Sequence, residues 1–245
     1  MSEPNRSAFS RLAHKIARVR GLLRERIHTP PKVADEIVTS FHRLYYNQWH
    51  HLGKDTLNAN WQGVRTLKCP LDLWIYQELL AEVRPDLIVE TGTHAAGSAL
   101  FLSQMLDLVG GKGRVISIDI DPGHNRPQHA RLTYLTGSST APDIADQVRN
   151  AAGQASCVMV FLDSDHSASH VTAELAIYAD LVTPGSYLVV EDTNVNGHPV
   201  YDDHGPGPTE AVAAFLAHDT RFQIDRSRER FLLTMNPGGY LRRVA

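Results

Sequence analysis

The chain has 245 residues, enough for one large domain or one domain with a modest extension. Its 24 basic and 27 acidic residues nearly cancel, at a net −3, so no global field points to nucleic acid or an acidic polymer as a partner. Two cysteines, Cys69 and Cys157, do not suggest a disulfide framework; Cys157 lies in the apolar run CVMVFL as a small hydrophobe, which fits a reducing, cytoplasmic setting.

No uninterrupted apolar stretch follows the first basic residues, so the N-terminus does not read as a signal peptide. No run approaches the roughly 20 apolar residues of a membrane span. The segment from Phe9 to His28 carries Arg11, Lys15, Arg18, Arg20, Arg24 and Arg26 against one acid, Glu25. Leu12, Ile16, Val19, Leu22 and Leu23 fall among them at helical spacing. This predicts an amphipathic helix packed on the body or on a partner subunit; the sharper alternative is a helix lying on a membrane surface. After the Thr29-Pro30-Pro31 break, Val33, Ile37, Phe41 and Leu44 predict a second helix that ends in an aromatic patch of Tyr45, Tyr46 and Trp49. Residues 50 to 69 read as polar and irregular. A helix is expected after Cys69-Pro70, with Leu73, Tyr76, Leu79 and Leu80 as its apolar stripe.

From Asp86 the pattern alternates regularly. The predicted strands are LIVET (87–91), RVISIDI (114–120), LTYLT (132–136), VMVFLD (158–163) and SYLVVED (186–192). Helices are expected over 96–108, 142–151, 169–181 and 209–217. RFQIDR (221–226) and RFLLTMN (230–236) read as a closing hairpin. Nearly continuous apolar strands alternating with helices predict a parallel sheet covered on both faces. With the hairpin, this is an α/β fold: a Rossmann-like, seven-stranded sheet of the class I methyltransferase type.

Ligands of such sheets bind beyond the carboxyl ends of the strands. Those ends carry polar or acidic residues almost throughout. The first loop reads Glu90-Thr-Gly92-Thr93-His-Ala-Ala-Gly97-Ser98. Gly92 lets the backbone approach a ligand, and Gly97 allows close helix packing. A carboxylate at this strand end suits a cofactor with a positive amine and sulfonium better than a pyrophosphate. Asp119, ending the next strand, can accept hydrogen bonds from ribose hydroxyls. Ser138 and Ser139 follow the third strand, where an adenine would lie. S-adenosylmethionine (AdoMet) fits this half.

The other half is Asp163-Ser-Asp165-His166 together with Glu191-Asp192. Carboxylates gathered at the ends of adjacent strands repel one another unless a cation lies between them. Hard oxygen ligands select Mg²⁺ or a similar divalent ion, expected here at Asp163, Glu191 and Asp192. A metal-bound hydroxyl still needs a base, and His166 is the natural candidate. His170, one turn further on, reads as a helix-surface residue.

At these residues the sequence resembles the cephalosporin hydroxylase-like family, which contains rhamnosyl O-methyltransferases and has the macrolide sugar methyltransferases among its more distant relatives. The matching stretches are WxG at Trp61–Gly63, DxWxYQE from Asp72 to Glu78, ETGTHAAGSA, LDSDHS, VVEDTNVNGHPV and GPGP at Gly205–Pro208. The resemblance implies Mg²⁺ at Asp163, Glu191 and Asp192, with Asp163 also on the cofactor side, and His166 as base, with Asp165 the competing choice. It places Tyr45, Tyr46, Trp61 and the loop holding Asn194, Asn196 and His198 near the acceptor. It implies methyl transfer to a sugar hydroxyl, such as a rhamnosyl residue of a natural product or glycolipid. A non-haem iron hydroxylase would want an H-x-D and a distant His, which the chain lacks. A non-catalytic AdoMet-binding partner has no need of a base beside a metal. The division expected is 1–69, a helical extension and acceptor-site cap, and 70–245, the Rossmann-like domain. The aromatic patch and N-terminal helix also suggest a homo-oligomer.

Overall fold

The computed structural model describes residues 14–18, 30–50 and 59–245. The chain divides into two compact units, Met1–Leu44 and Tyr45–Ala245. In the first, residues 14–18 are helical, and helix α1 (Pro31–His50) starts there and runs on into the second. The remainder of the basic segment 9–28 lies outside the described residues, and so does the choice between a packed and a membrane-surface helix. Among the described residues no helix is long and apolar enough to cross a membrane.

The second unit opens with a two-stranded ribbon, β1 (Ala59–Trp61) and β2 (Val64–Thr66), paired antiparallel. Residues 50–69 are thus not wholly irregular. The turn is made by Gln62 and Gly63, both at positive φ, the combination that matches the twist of a two-residue hairpin. Gln at the first turn position hides this signal, because Asn or Asp is the usual marker.

Helix α2 (Pro70–Val83) follows, with Pro70 in its first turn, and then the sheet begins. Strands β3 (Leu87–Thr91), β4 (Arg114–Asp119), β5 (Leu132–Thr136), β6 (Val158–Leu162) and β7 (Tyr187–Val190) are mutually parallel. Strands β8 (Phe222–Ile224) and β9 (Tyr240–Arg243) complete the order β5-β4-β3-β6-β7-β9-β8, with β9 antiparallel to both neighbours. Between the strands run α3 (Gly97–Val109), α4 (Pro142–Ala152), α5 (Ala168–Tyr178) and α6 (Pro208–Leu216).

The continuous apolar runs are explained by burial on both faces. Leu87 and Val89 join one core cluster and Ile88 the other; Val158, Val160 and Leu162 likewise face away from Met159 and Phe161. The β3–β4 crossing places Glu90 opposite Ser117, so the polar residues begin where the strands leave this double layer.

One expected strand does not form. Residues 230–236 are not a strand, and β9 lies further on, at Tyr240–Arg243. The reason is Asp72, a buried carboxylate in the first turn of α2. Its Oδ1 accepts hydrogen bonds from Thr234 Oγ1 (2.5 Å) and Tyr240 OH (2.8 Å), and its Oδ2 accepts from the Met235 N–H (2.9 Å). Asn236 donates to Tyr76 OH at 2.8 Å. Side chains of α2 therefore anchor Thr234, Met235 and Asn236, and Asp72 takes the Met235 N–H that a strand would spend on a ladder. Replacing Asp72 with Asn puts an amide donor where three donors converge. The account predicts a loss of about 1–3 kcal/mol of stability in Asp72→Asn, read by chemical denaturation; wild-type stability would show the anchor to be dispensable.

Candidate active site

The carboxyl ends of β3, β4, β5, β6 and β7 open onto one cavity of about 830 Å³. Its construction begins at Gly92, at φ +85°, directly after β3. A Cβ there would lie 1.8 Å from the Asp163 carbonyl oxygen, so only glycine lets the first loop pack against the end of β6. A Cβ on Gly97 would stand 2.3 Å from the Arg65 carbonyl oxygen, so α3 starts hard against the β1–β2 ribbon.

Glu90 is buried at the end of β3. Its Oε2 accepts from Ser117 Oγ at 2.6 Å, and Ser98 also hydrogen-bonds to it. Its Oε1 has no hydrogen-bond partner among the described residues. Burial pushes its carboxyl above the usual range, against the pull of Lys68. Thr93 shares a 2.7 Å hydrogen bond with Ser117 and so braces the same corner. Asp119 accepts from the His94 N–H (2.7 Å) and the Asp121 N–H (2.9 Å), and Arg126 lies 3.3 Å from it. Ser138 and Ser139 line the cavity below β5.

The end of β6 and the end of β7 meet as expected from their pairing, but through a residue that sequence reasoning missed. Lys68, from the segment between β2 and α2, ion-pairs with Asp163 and with Glu191 Oε2, the latter at 2.7 Å. Both Lys68 and Glu191 side chains are only 4% exposed. Burial alone would lower the Lys68 ammonium, but the Asp163, Glu191 and Glu90 carboxylates outweigh it and hold it charged. Two buried acids and the partly buried Asp163 thus face one buried ammonium among the described residues. The surplus negative charge shows in Glu191, raised well above the ordinary carboxylate range by burial and by Asp163, and in its partnerless Oε1. The lysine carried no signal in its sequence context, RTLKCP.

His166 Nε2 stands 3.3 Å from Asp192 Oδ2 and 3.9 Å from Asp163 Oδ1. Asp163, His166 and Asp192 each offer one ligand atom within 4.8 Å of the others. Asp165 faces the cavity rim, but its Oδ1 accepts the Ser167 N–H at 2.8 Å, and Ser167 hydrogen bonds hold its carboxyl below the usual range.

Of the residues expected near the acceptor, Tyr46 lines the cavity; Tyr45, Trp61, Asn194, Asn196 and His198 are not among its walls. Tyr45 packs beside a small cluster with Tyr46, Cys69 and Met235. Trp61 stacks edge-on against Phe101 at 4.9 Å and donates to Gln104. Asn194 is fully buried. Asn196 and His198 both reach Glu210 Oε1, at 2.9 and 3.0 Å, while Glu210 Oε2 accepts the Gly207 N–H. Those bonds overcome burial and bring Glu210 down to about 2. The two polar residues therefore tie the 194–208 loop to α6. Tyr201, His204 and Met235, unremarked in the sequence, form that side of the cavity.

The chain matches the family model described as rhamnosyl O-methyltransferase/CmcI over residues 54–244. It belongs to that family. It is 36% identical over 217 residues to the rhamnosyl O-methyltransferase of Mycobacterium leprae (strain TN), covering 84% of this chain and 90% of that one. It is 34% identical over 219 residues to the enzyme of the same name from Mycobacterium tuberculosis (strain ATCC 25618 / H37Rv), covering 85% of each. The fold superposes on apo CmcI with a TM-score of 0.62 at 22% identity, over 81% of this chain and 84% of that one. CmcI with Mg and SAM gives 0.61 at 23%, over 79% and 80%. The architecture is that of the class I methyltransferases.

His170 departs from the helix-surface expectation. It is half-buried, lines the cavity, and its Nε2 lies 3.1 Å from Ser139 Oγ and 3.6 Å from Glu174 Oε1. Glu174 is fully buried and raises the His170 imidazole above its ordinary value. The sign follows: a raised folded-state value contributes stability that is complete below the ordinary histidine value and is lost as pH rises through the folded one. NMR titration should find His170 raised in the wild type and returned toward the ordinary value in Glu174→Gln. An unchanged His170 in that variant would contradict the pairing.

Proposed function

We propose that the protein transfers the methyl group of AdoMet to a hydroxyl of a rhamnosyl or related deoxysugar unit on a small glycoside or glycolipid, with a hard divalent cation such as Mg²⁺. The observation that carries this reading is the charge imbalance at the carboxyl edge of the sheet, where Glu90, Asp163 and Glu191 share one buried ammonium. Glu90 Oε1 and Glu191 Oε1, which have no hydrogen-bond partner among the described residues, belong to buried carboxylates beneath the two halves of the site, Glu90 two residues before the cavity-lining Gly92 and Glu191 directly before the cavity-lining Asp192. A cationic cofactor answers the first, and a cation answers the second. The sugar specificity rests on the names of the Mycobacterium relatives, and the metal and cofactor draw further support from CmcI with Mg and SAM.

The donor type fits a hard ion: Asp163 and Asp192 bring carboxylate oxygens within 4.8 Å of each other, and Glu191, which shares Lys68 with Asp163, would supply the third carboxylate. When bound, the ion lowers the pKa of an acceptor hydroxyl and holds it toward the methyl group. The protein's own residues do the rest. Glu90 and Asp119, on adjacent strands, would hold the amine and ribose ends of the cofactor, with Thr93, Gly97, Ser98, Ser138 and Ser139 shaping its bed. His166 takes the proton from the acceptor hydroxyl, and Asp192 at 3.3 Å orients its ring and stabilises the imidazolium that results. Asp165 is the poorer base, because its carboxyl is already committed to the Ser167 N–H. The methyl group moves from sulfonium to oxygen while its bonding pair stays on sulfur, leaving a neutral thioether.

Kinetics with a rhamnosyl acceptor test the assignments separately. Asp192→Ala should lose Mg²⁺-dependent turnover while AdoMet still binds; full turnover in chelator would remove the metal role. His166→Ala should lower kcat by about 10²–10⁴-fold with little change in KM, and an unchanged kcat would move the base elsewhere.

A further inference from the structure

Lys68 does not belong to the strand ends that build the rest of the site. It reaches them from the short segment joining the β1–β2 ribbon to α2, a ribbon that also abuts the start of α3 at Gly97. Its ammonium bridges Asp163, directly after β6, and Glu191, directly after β7, two of the three carboxylates offered as metal ligands above. Lys68 and Glu191 are buried and Asp163 is partly so, which makes this arrangement costly to break: removing the cation would leave two carboxylates facing each other with little access to water. The same carboxylate oxygens cannot give full coordination to a divalent ion while the ammonium holds them.

We propose that Lys68 is a tethered counter-cation of the acidic floor, which keeps Asp163 and Glu191 together in the metal-free protein and yields their oxygens to the divalent ion. The inference rests on the metal reading given above. Lys68 is a positioning residue in this role: its effect runs through Asp163 and Glu191. Two consequences follow. The fold does not require metal, because the lysine already offsets part of the charge. Metal affinity is weakened by competition, since the incoming ion must displace or crowd a like charge.

Thermal unfolding and calorimetric Mg²⁺ titration of the purified full chain, in chelator and in Mg²⁺, test both consequences in wild type, Lys68→Met and Lys68→Arg. In chelator, Lys68→Met should melt at least ~5 °C below wild type, as expected when one partner of a buried ion pair is lost. Mg²⁺ should restore most of that loss in Lys68→Met and change the wild type much less. Its Mg²⁺ affinity should exceed the wild-type value by about tenfold or more, the effect of removing a like charge from beside a bound cation. Lys68→Arg, which keeps the charge, should behave as wild type in both measurements; if Lys68→Met does not fold in chelator, its recovery in Mg²⁺ reads the same competition. Equal Mg²⁺ affinity in wild type and Lys68→Met would overturn the proposal while leaving the metal site standing. A stability loss in Lys68→Met that Mg²⁺ does not repair would also overturn it, confining the lysine to the fold. Absence of any Mg²⁺ binding in all three proteins would overturn the metal site and this proposal together.

Discussion

The structure is organised by a surplus of buried negative charge. Glu90, Asp163 and Glu191 stand at the ends of three adjacent parallel strands, the two glutamates buried and Asp163 partly so, with Lys68 as the one ammonium they share among the described residues. Such a cluster is unfavourable in isolation, and it persists only because the rest of the fold imposes it. The apolar double layer fixes the strand register, the register aligns the strand ends, and Gly92 lets the first loop close onto Asp163. A site that is short of positive charge is one that binds positive charge. That property joins the two halves of the site, the proposed cofactor bed at the ends of β3–β5 and the acidic cluster at the ends of β6 and β7.

The opposite wall is built by different means. Asp72 draws residues 234–236 inward and sets Met235 at the cavity, and Glu210 gathers Asn196, His198 and Gly207 to hold the loop after β7. Both are single carboxylates organising irregular backbone through converging donors. This wall, with Tyr46, Tyr201 and His204, is where an acceptor would be selected. Its shape depends on loops, whereas the acidic floor depends on the sheet.

That difference explains what could be read from the sequence. Strands β3, β4, β6 and β7 were legible because burial on both faces leaves continuous apolar runs such as LIVET and VMVFL, and their polar ends marked the edge where the cavity lies. The stretch 230–236 has the composition of a strand, yet its Met235 N–H is claimed by Asp72, a contact across 163 residues that no local pattern announces. The β1–β2 turn was hidden by Gln62. Asn196 and His198 carried the chemistry expected of acceptor contacts but are bound to Glu210, and His170, with the spacing of a surface residue, faces the cavity through Ser139 and Glu174. Lys68 was invisible for the same reason as Asp72's partners: its role is set by what the fold brings to it.

The most direct test is calorimetric titration of the metal-stripped protein with AdoMet and, separately, with Mg²⁺. The account predicts saturable binding of each at one site per chain, with AdoMet binding lost in Glu90→Gln and Mg²⁺ binding retained there. A protein that binds neither would show that the buried acids are balanced within the fold itself, and the functional reading would fall with that result.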